Sequence, residues 1–105
     1  MSDVTEVNKL VSDNTPEILA SKGITAKFHE ADHDQYEIEL LEKLREEVLE
    51  FKNNKSIVQL SDLLITVDAV VELHGWGQED VLAAKAERLN EKGGYSKRLI
   101  LEQTE

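Results

Sequence analysis

Ile57-Val58-Gln59-Leu60-Ser61-Asp62-Leu63-Leu64-Ile65-Thr66-Val67-Asp68-Ala69-Val70-Val71-Glu72-Leu73 is the stretch that decides the fold. No glycine or proline interrupts it. Ser56 stands before it as a cap and Gly75 after it as a stop, so the spacing predicts a helix over 57–73. Its aliphatic residues spread round the helix instead of forming one stripe. A helix apolar on nearly every side is normally central and covered by neighbours. Gln59, Asp62, Asp68 and Glu72 argue against a membrane span. A chain of 105 residues has few other elements with which to cover it. A homo-oligomer, dimer or tetramer, that completes a helical bundle is therefore expected.

Working outward, residues 34–53 combine good helix formers without glycine or proline. With Leu44 as reference, Leu40, Leu41, Val48 and Phe51 fall within about 60° of one line, an amphipathic stripe. Asn53-Asn54-Lys55-Ser56 is a turn, so the two long helices form a hairpin. Gly77-Gln78-Glu79-Asp80 opens a third helix with acids in its first turn, and Gly93-Gly94 ends it after Lys92. Near the start, Asn14 or Thr15 is placed to cap a short helix with Pro16 in its first turn and Gly23 at its end. Ile24 to His29 alternates apolar and polar residues, as a strand does, and its one available partner is Tyr95 to Leu101. Residues 1–8 are polar and expected to fray. The expected architecture is a single all-α domain over 1–105, a helical bundle with a small two-stranded ribbon.

Charge narrows the function. The chain has 22 acidic and 12 basic residues, a formal charge of -10. Nucleic-acid binding through phosphates needs a basic surface, as does docking on an anionic membrane. Cysteine is absent, which excludes disulfides and thiolate metal sites. The first residues, Met-Ser-Asp-Val-Thr-Glu, do not read as a signal peptide, and a cytoplasmic protein is expected.

Some of the acid is placed where it costs stability. Glu46, Glu47 and Glu50 share one helix, and residues three or four apart repel when alike in charge. Glu47 lies about 60° from the centre of the apolar stripe, bordering the core, and Glu50 about 60° further round. On the next helix Gln59 and Asp62 are three apart, Asp62 within an apolar run. Antiparallel packing would bring these two faces together as an oxygen-rich cage suited to magnesium or manganese. The plainer reading is a solvated acidic face with Asp62 paired to a lysine.

The string Lys43-Leu44-Arg45-Glu46-Glu47-Val48-Leu49-Glu50-Phe51, followed by Gln59-Leu60-Ser61-Asp62, resembles the metal motifs of the all-α nucleoside triphosphate pyrophosphohydrolases, the MazG-like and phosphoribosyl-ATP pyrophosphohydrolase-like proteins. Their pattern is Glu-Glu-x-x-Glu on one helix and Glu-x-x-Asp on the next. Asn8-Lys9-Leu10-Val11-x-Asp13-x-x-Pro16-Glu17-Ile18, Val67-Asp68-Ala69, His74-Gly75 and Gly93-Gly94-Tyr95-x-Lys97-Arg98 extend the likeness over almost the whole chain.

The resemblance implies hydrolysis of a nucleoside triphosphate-type substrate to monophosphate and pyrophosphate, with Mg2+ (or Mn2+) as cofactor. It implies Glu47, Glu50 and Asp62 as metal ligands and Glu46 as a further ligand or the base for water. Lys9, Asp13, Lys43 and Arg98 become candidates for substrate contact. Lys43 either reaches a phosphate or pairs with Glu47 one turn on. Two departures stand out. Gln59 replaces the third acid of the pattern, and Ser12 replaces the basic residue usual between Val11 and Asp13. Both remove charge expected near phosphate and metal, which keeps open a non-catalytic or impaired member that serves as a nucleotide-binding or structural oligomer.

Outside the motifs, Asp68 reads as a hydrogen-bonding residue toward a neighbouring helix or subunit. His74 reads as a dipole-stabilising helix end, and Trp76 as an anchor of the turn that follows.

Overall fold

A computed structural model describes residues 4–105; the first three of the residues expected to fray lie outside it. Residues 4–14 are non-helical and largely exposed. Four helices follow in order: α1 (Thr15–Ser21), α2 (His33–Asn53), α3 (Ile57–Leu73) and α4 (Gln78–Lys92). The fold is all-helical, and no strand occurs among the described residues.

Local chemistry sets the helix ends. Asp32 accepts a hydrogen bond from the Gln35 main-chain N at 2.8 Å, so α2 begins one residue before the predicted start. Ser56 caps α3 in the same way, accepting from Gln59 N at 3.1 Å. α1 lacks a side-chain cap bond; Thr15 instead shares a hydroxyl contact with Ser12 at 2.8 Å. His74 ends α3, its Nδ1 2.8 Å from the Val70 carbonyl. Its ring stacks on Trp76, centroids 4.5 Å apart, and Gly75 between them takes a left-handed φ of 70°. Asp68 is exposed.

α2 and α3 pack as an antiparallel hairpin and are the only helices that pack extensively on one another among the described residues. Leu40 and Val71 are its buried apolar side chains. On α3, Gln59, Leu63, Thr66, Val70 and Leu73 are buried or half-buried, which is the i, i+4, i+7 spacing of one face. That inner face contains two polar residues, Gln59 and Thr66, both buried. Thr66 is satisfied by donating to the Asp62 carbonyl at 3.0 Å. The outer face carries Ile57, Val58, Leu60, Leu64 and Val67, all exposed. α3 thus leaves exposed a second aliphatic face, which an ordinary amphipathic helix does not carry.

The chain is long and thin, about 65 × 31 × 28 Å. Its radius of gyration is 18.7 Å, against about 13 Å for a compact domain of this length. α4 exposes Leu82 and Leu89, and the terminal stretch exposes Tyr95, Leu99, Ile100 and Leu101. Residues 24–29 are likewise exposed and non-helical. No helix among the described residues is long and apolar enough to cross a membrane.

Candidate functional site

The α2–α3 hairpin and the segment before α1 enclose a cleft of about 780 Å³. Three parts of the chain far apart in sequence meet there. The leading segment supplies Leu10 to Asp13, α2 supplies Tyr36, Leu40, Lys43 and Glu47, and α3 supplies Asp62, Ile65, Thr66 and Glu72. Four carboxylates (Asp13, Glu47, Asp62 and Glu72) and one ammonium (Lys43) line it, with apolar side chains between them.

Glu47 is more enclosed than its neighbour Glu46, their side chains 15% and 34% exposed. Its place at the edge of the apolar stripe carries it into the helix interface. There Gln59 Nε2 donates to Glu47 Oε2 at 2.6 Å and lies 3.4 Å from the Glu47 carbonyl. Lys43 Nζ is 3.7 Å from Glu47 Oε1, the i, i+4 pairing weighed from the sequence. The same ammonium is 4.0 Å from Glu46 Oε2, which Lys9 Nζ approaches to 3.8 Å. Two lysines and two glutamates therefore form one chain of charge contacts that ties the leading segment to α2.

Of the residues picked from the sequence, Asp13, Lys43, Glu47 and Asp62 line one cleft, and Lys9 and Glu46 join it through Lys43. Glu50 and Arg98 do not line it. Glu50 is exposed, because its position about 120° from the stripe turns it away from α3. Arg98 sits on the exposed terminal stretch with φ 54°, in a turn closed by its main-chain N donating to the Tyr95 carbonyl at 2.9 Å. Glu72 and Tyr36 line the cleft without having been singled out. Their signal was faint: Glu72 lies ten residues after Asp62 on α3, about 80° round the helix from it.

A divalent ion does not fit the residues as they stand. Among the described residues no group of three or more Asp, Glu or His side chains is placed to hold a metal ion. Glu50 is outside the cleft, and Glu47, half-buried, already has partners on both oxygens.

The perturbed ionisations lie elsewhere. Arg45 donates to Glu42 through Nε and Nη2, and this hydrogen bond, aided by the guanidinium charge, lowers the Glu42 carboxyl below its ordinary 4.5. Arg45 is raised in return. The pair is on the outer surface of α2, away from the cleft.

Compared with protein-family models, curated proteins and solved structures, the chain gives no match.

Proposed function

We propose that this chain is a nucleotide pyrophosphohydrolase that works as a homo-oligomer, cleaving a nucleoside triphosphate-type substrate to monophosphate and pyrophosphate. The observation that supports the reading is the convergence on one cleft of the leading segment (Asp13), the α2 acid run (Lys43, Glu47) and Asp62 of α3. These are three of the stretches that carry the resemblance. Lys43 and Lys9 supply the chain's own positive charge for phosphate oxygens. Glu46, held between those lysines, is the carboxylate available to accept a proton from the attacking water. Magnesium or manganese is the cofactor that the resemblance implies; Glu50 lies outside the cleft that Glu47 and Asp62 share, so the three candidate ligands are not gathered round one point. The test is a panel of standard and modified nucleoside triphosphates incubated with magnesium. Pyrophosphate release from one of them is the expected result. None from any, with folded protein, overturns the reading.

The oligomer is supported by surface. The chain exposes 9829 Å², about 3,800 Å² more than the roughly 6,000 Å² expected of a compact monomer of its mass. Each partner in a standard interface gives up about 800 Å². The aliphatic outer face of α3 is the part that most needs cover. We assign the ribbon between 24–29 and 95–101 to the assembled state, and the protein to the cytoplasm on its acidic, cysteine-free composition.

A second reading, binding without turnover, is favoured by one contact: the neutral Gln59 amide on Glu47 where the resembled pattern has a carboxylate. Nucleotide binding without pyrophosphate release would select it.

A further inference from the structure

Gln59 is a buried polar residue that the proposed reaction does not use. Both of its Nε2 neighbours, Glu47 Oε2 and the Glu47 carbonyl, are acceptors. An ionised carboxylate and a peptide carbonyl have no hydrogen to give, so the amide has to present its NH2 to them. Rotating the amide to aim its oxygen at an ion on Glu47 would set oxygen against oxygen and leave a half-buried carboxylate short of a donor. Donating to Glu47 and ligating an ion beside Glu47 are mutually exclusive uses of one side chain. The other Glu47 oxygen already faces the Lys43 ammonium at 3.7 Å.

We infer that Gln59 and Lys43 together close the α2–α3 cleft to a free divalent cation: Gln59 holds Glu47 through its amide NH2, Lys43 supplies the positive charge, and an ion enters only by displacing both. The inference deepens the reading above and rests on it only for the choice of a divalent cation as the competitor. Gln59 acts through Glu47 and is a positioning residue. A carboxylate at position 59 reverses its effect. Two like charges would then face each other within hydrogen-bond distance in a mostly buried interface, an arrangement stable only with a cation between them.

The test is titration of the full chain with Mn2+ alone, followed by the loss of the free-ion electron paramagnetic resonance signal and by calorimetry. The wild-type chain is expected to show no saturable binding below the millimolar range. Gln59→Glu is expected to take up one ion per chain with affinity raised about tenfold or more, since affinity follows the ligand charge count. Lys43→Met, which leaves position 59 alone, should move affinity the same way. Adding Glu47→Gln to Gln59→Glu should abolish the gain, which locates the ion at Glu47. Circular dichroism monitors folding, and if Gln59→Glu loses helix content, Lys43→Met decides. Tight binding by the wild-type chain that neither variant alters overturns the inference, as does a folded Lys43→Met without a gain. Pyrophosphate release is read separately: its absence from the wild-type chain overturns the enzymatic reading alone, while the manganese titration decides this one.

Discussion

The Ser56 hydroxyl accepts from the Gln59 main-chain N at 3.1 Å, and this cap fixes the turn of α3 from which Gln59 reaches Glu47. Capping and site geometry are thus one local structure. Ser56→Ala should cost about 1 kcal/mol of stability, and Ser56→Asp should retain most of it because aspartate caps equally well. Urea denaturation followed by circular dichroism checks the difference. Equal stability for all three chains would mean that the cap contributes nothing to the hairpin.

Leu40 is the most buried apolar side chain described, 3% exposed, and it also forms part of the cleft wall. Leu40→Ala should lower stability by about 2–3 kcal/mol, toward the low end for buried leucine because the open cleft lets neighbours settle into the space. In so thin a core that loss is a large share of the total. A denaturation midpoint indistinguishable from wild type would contradict the placement of Leu40 in the α2–α3 interface.

The helices were largely legible in the sequence because their limits are set locally. Ser56, Gly75, the Gly77-Gln78 start and Gly93 act within a turn of where they stand, and α3 begins and ends where they place it. The cap at Asp32 was missed, which moved the start of α2 by one residue. Which side of α3 meets α2 was not legible, since an all-round apolar helix has no preferred face. The packing puts Gln59 and Thr66 inward, where each finds an acceptor, and leaves Ile57 and Leu64 outward. Of the acids, Glu47 was readable from its angle to the stripe, whereas grouping Glu50 with it treated sequence spacing as convergence. Residues 24–29 and 95–101 form no strand here, because alternation describes one strand and says nothing of a partner to pair with it.

The Glu42–Arg45 pair gives a pH prediction with a definite sign. The Glu42 carboxyl is lowered by its bond to Arg45, so its contribution to stability is present above the ordinary value of 4.5 and is lost as pH falls through the lowered value. Arg45→Gln should return the Glu42 titration upward to the ordinary range, as read from its side-chain carbon resonance. The melting temperature at neutral pH should barely change, because exposed pairs of this kind contribute little. A Glu42 titration unmoved by Arg45→Gln would rule out the guanidinium as the cause.

The exposed aliphatic face of α3 makes the strongest demand on the solution state. Leu64 is 54% exposed in the single chain and does not line the cleft, so a charge there should be tolerated by the hairpin. If a second copy covers that face, the same charge is desolvated on association and the assembly weakens. Light scattering should give the wild-type chain a mass of two or four times 11.9 kDa. Leu64→Glu should shift that mass toward one chain while keeping the helix signal. Helix loss in Leu64→Glu would mean instead that the face is needed within one chain. A monomeric wild-type mass would remove the oligomer and leave the aliphatic face of α3 in water, where patches of that size rarely persist.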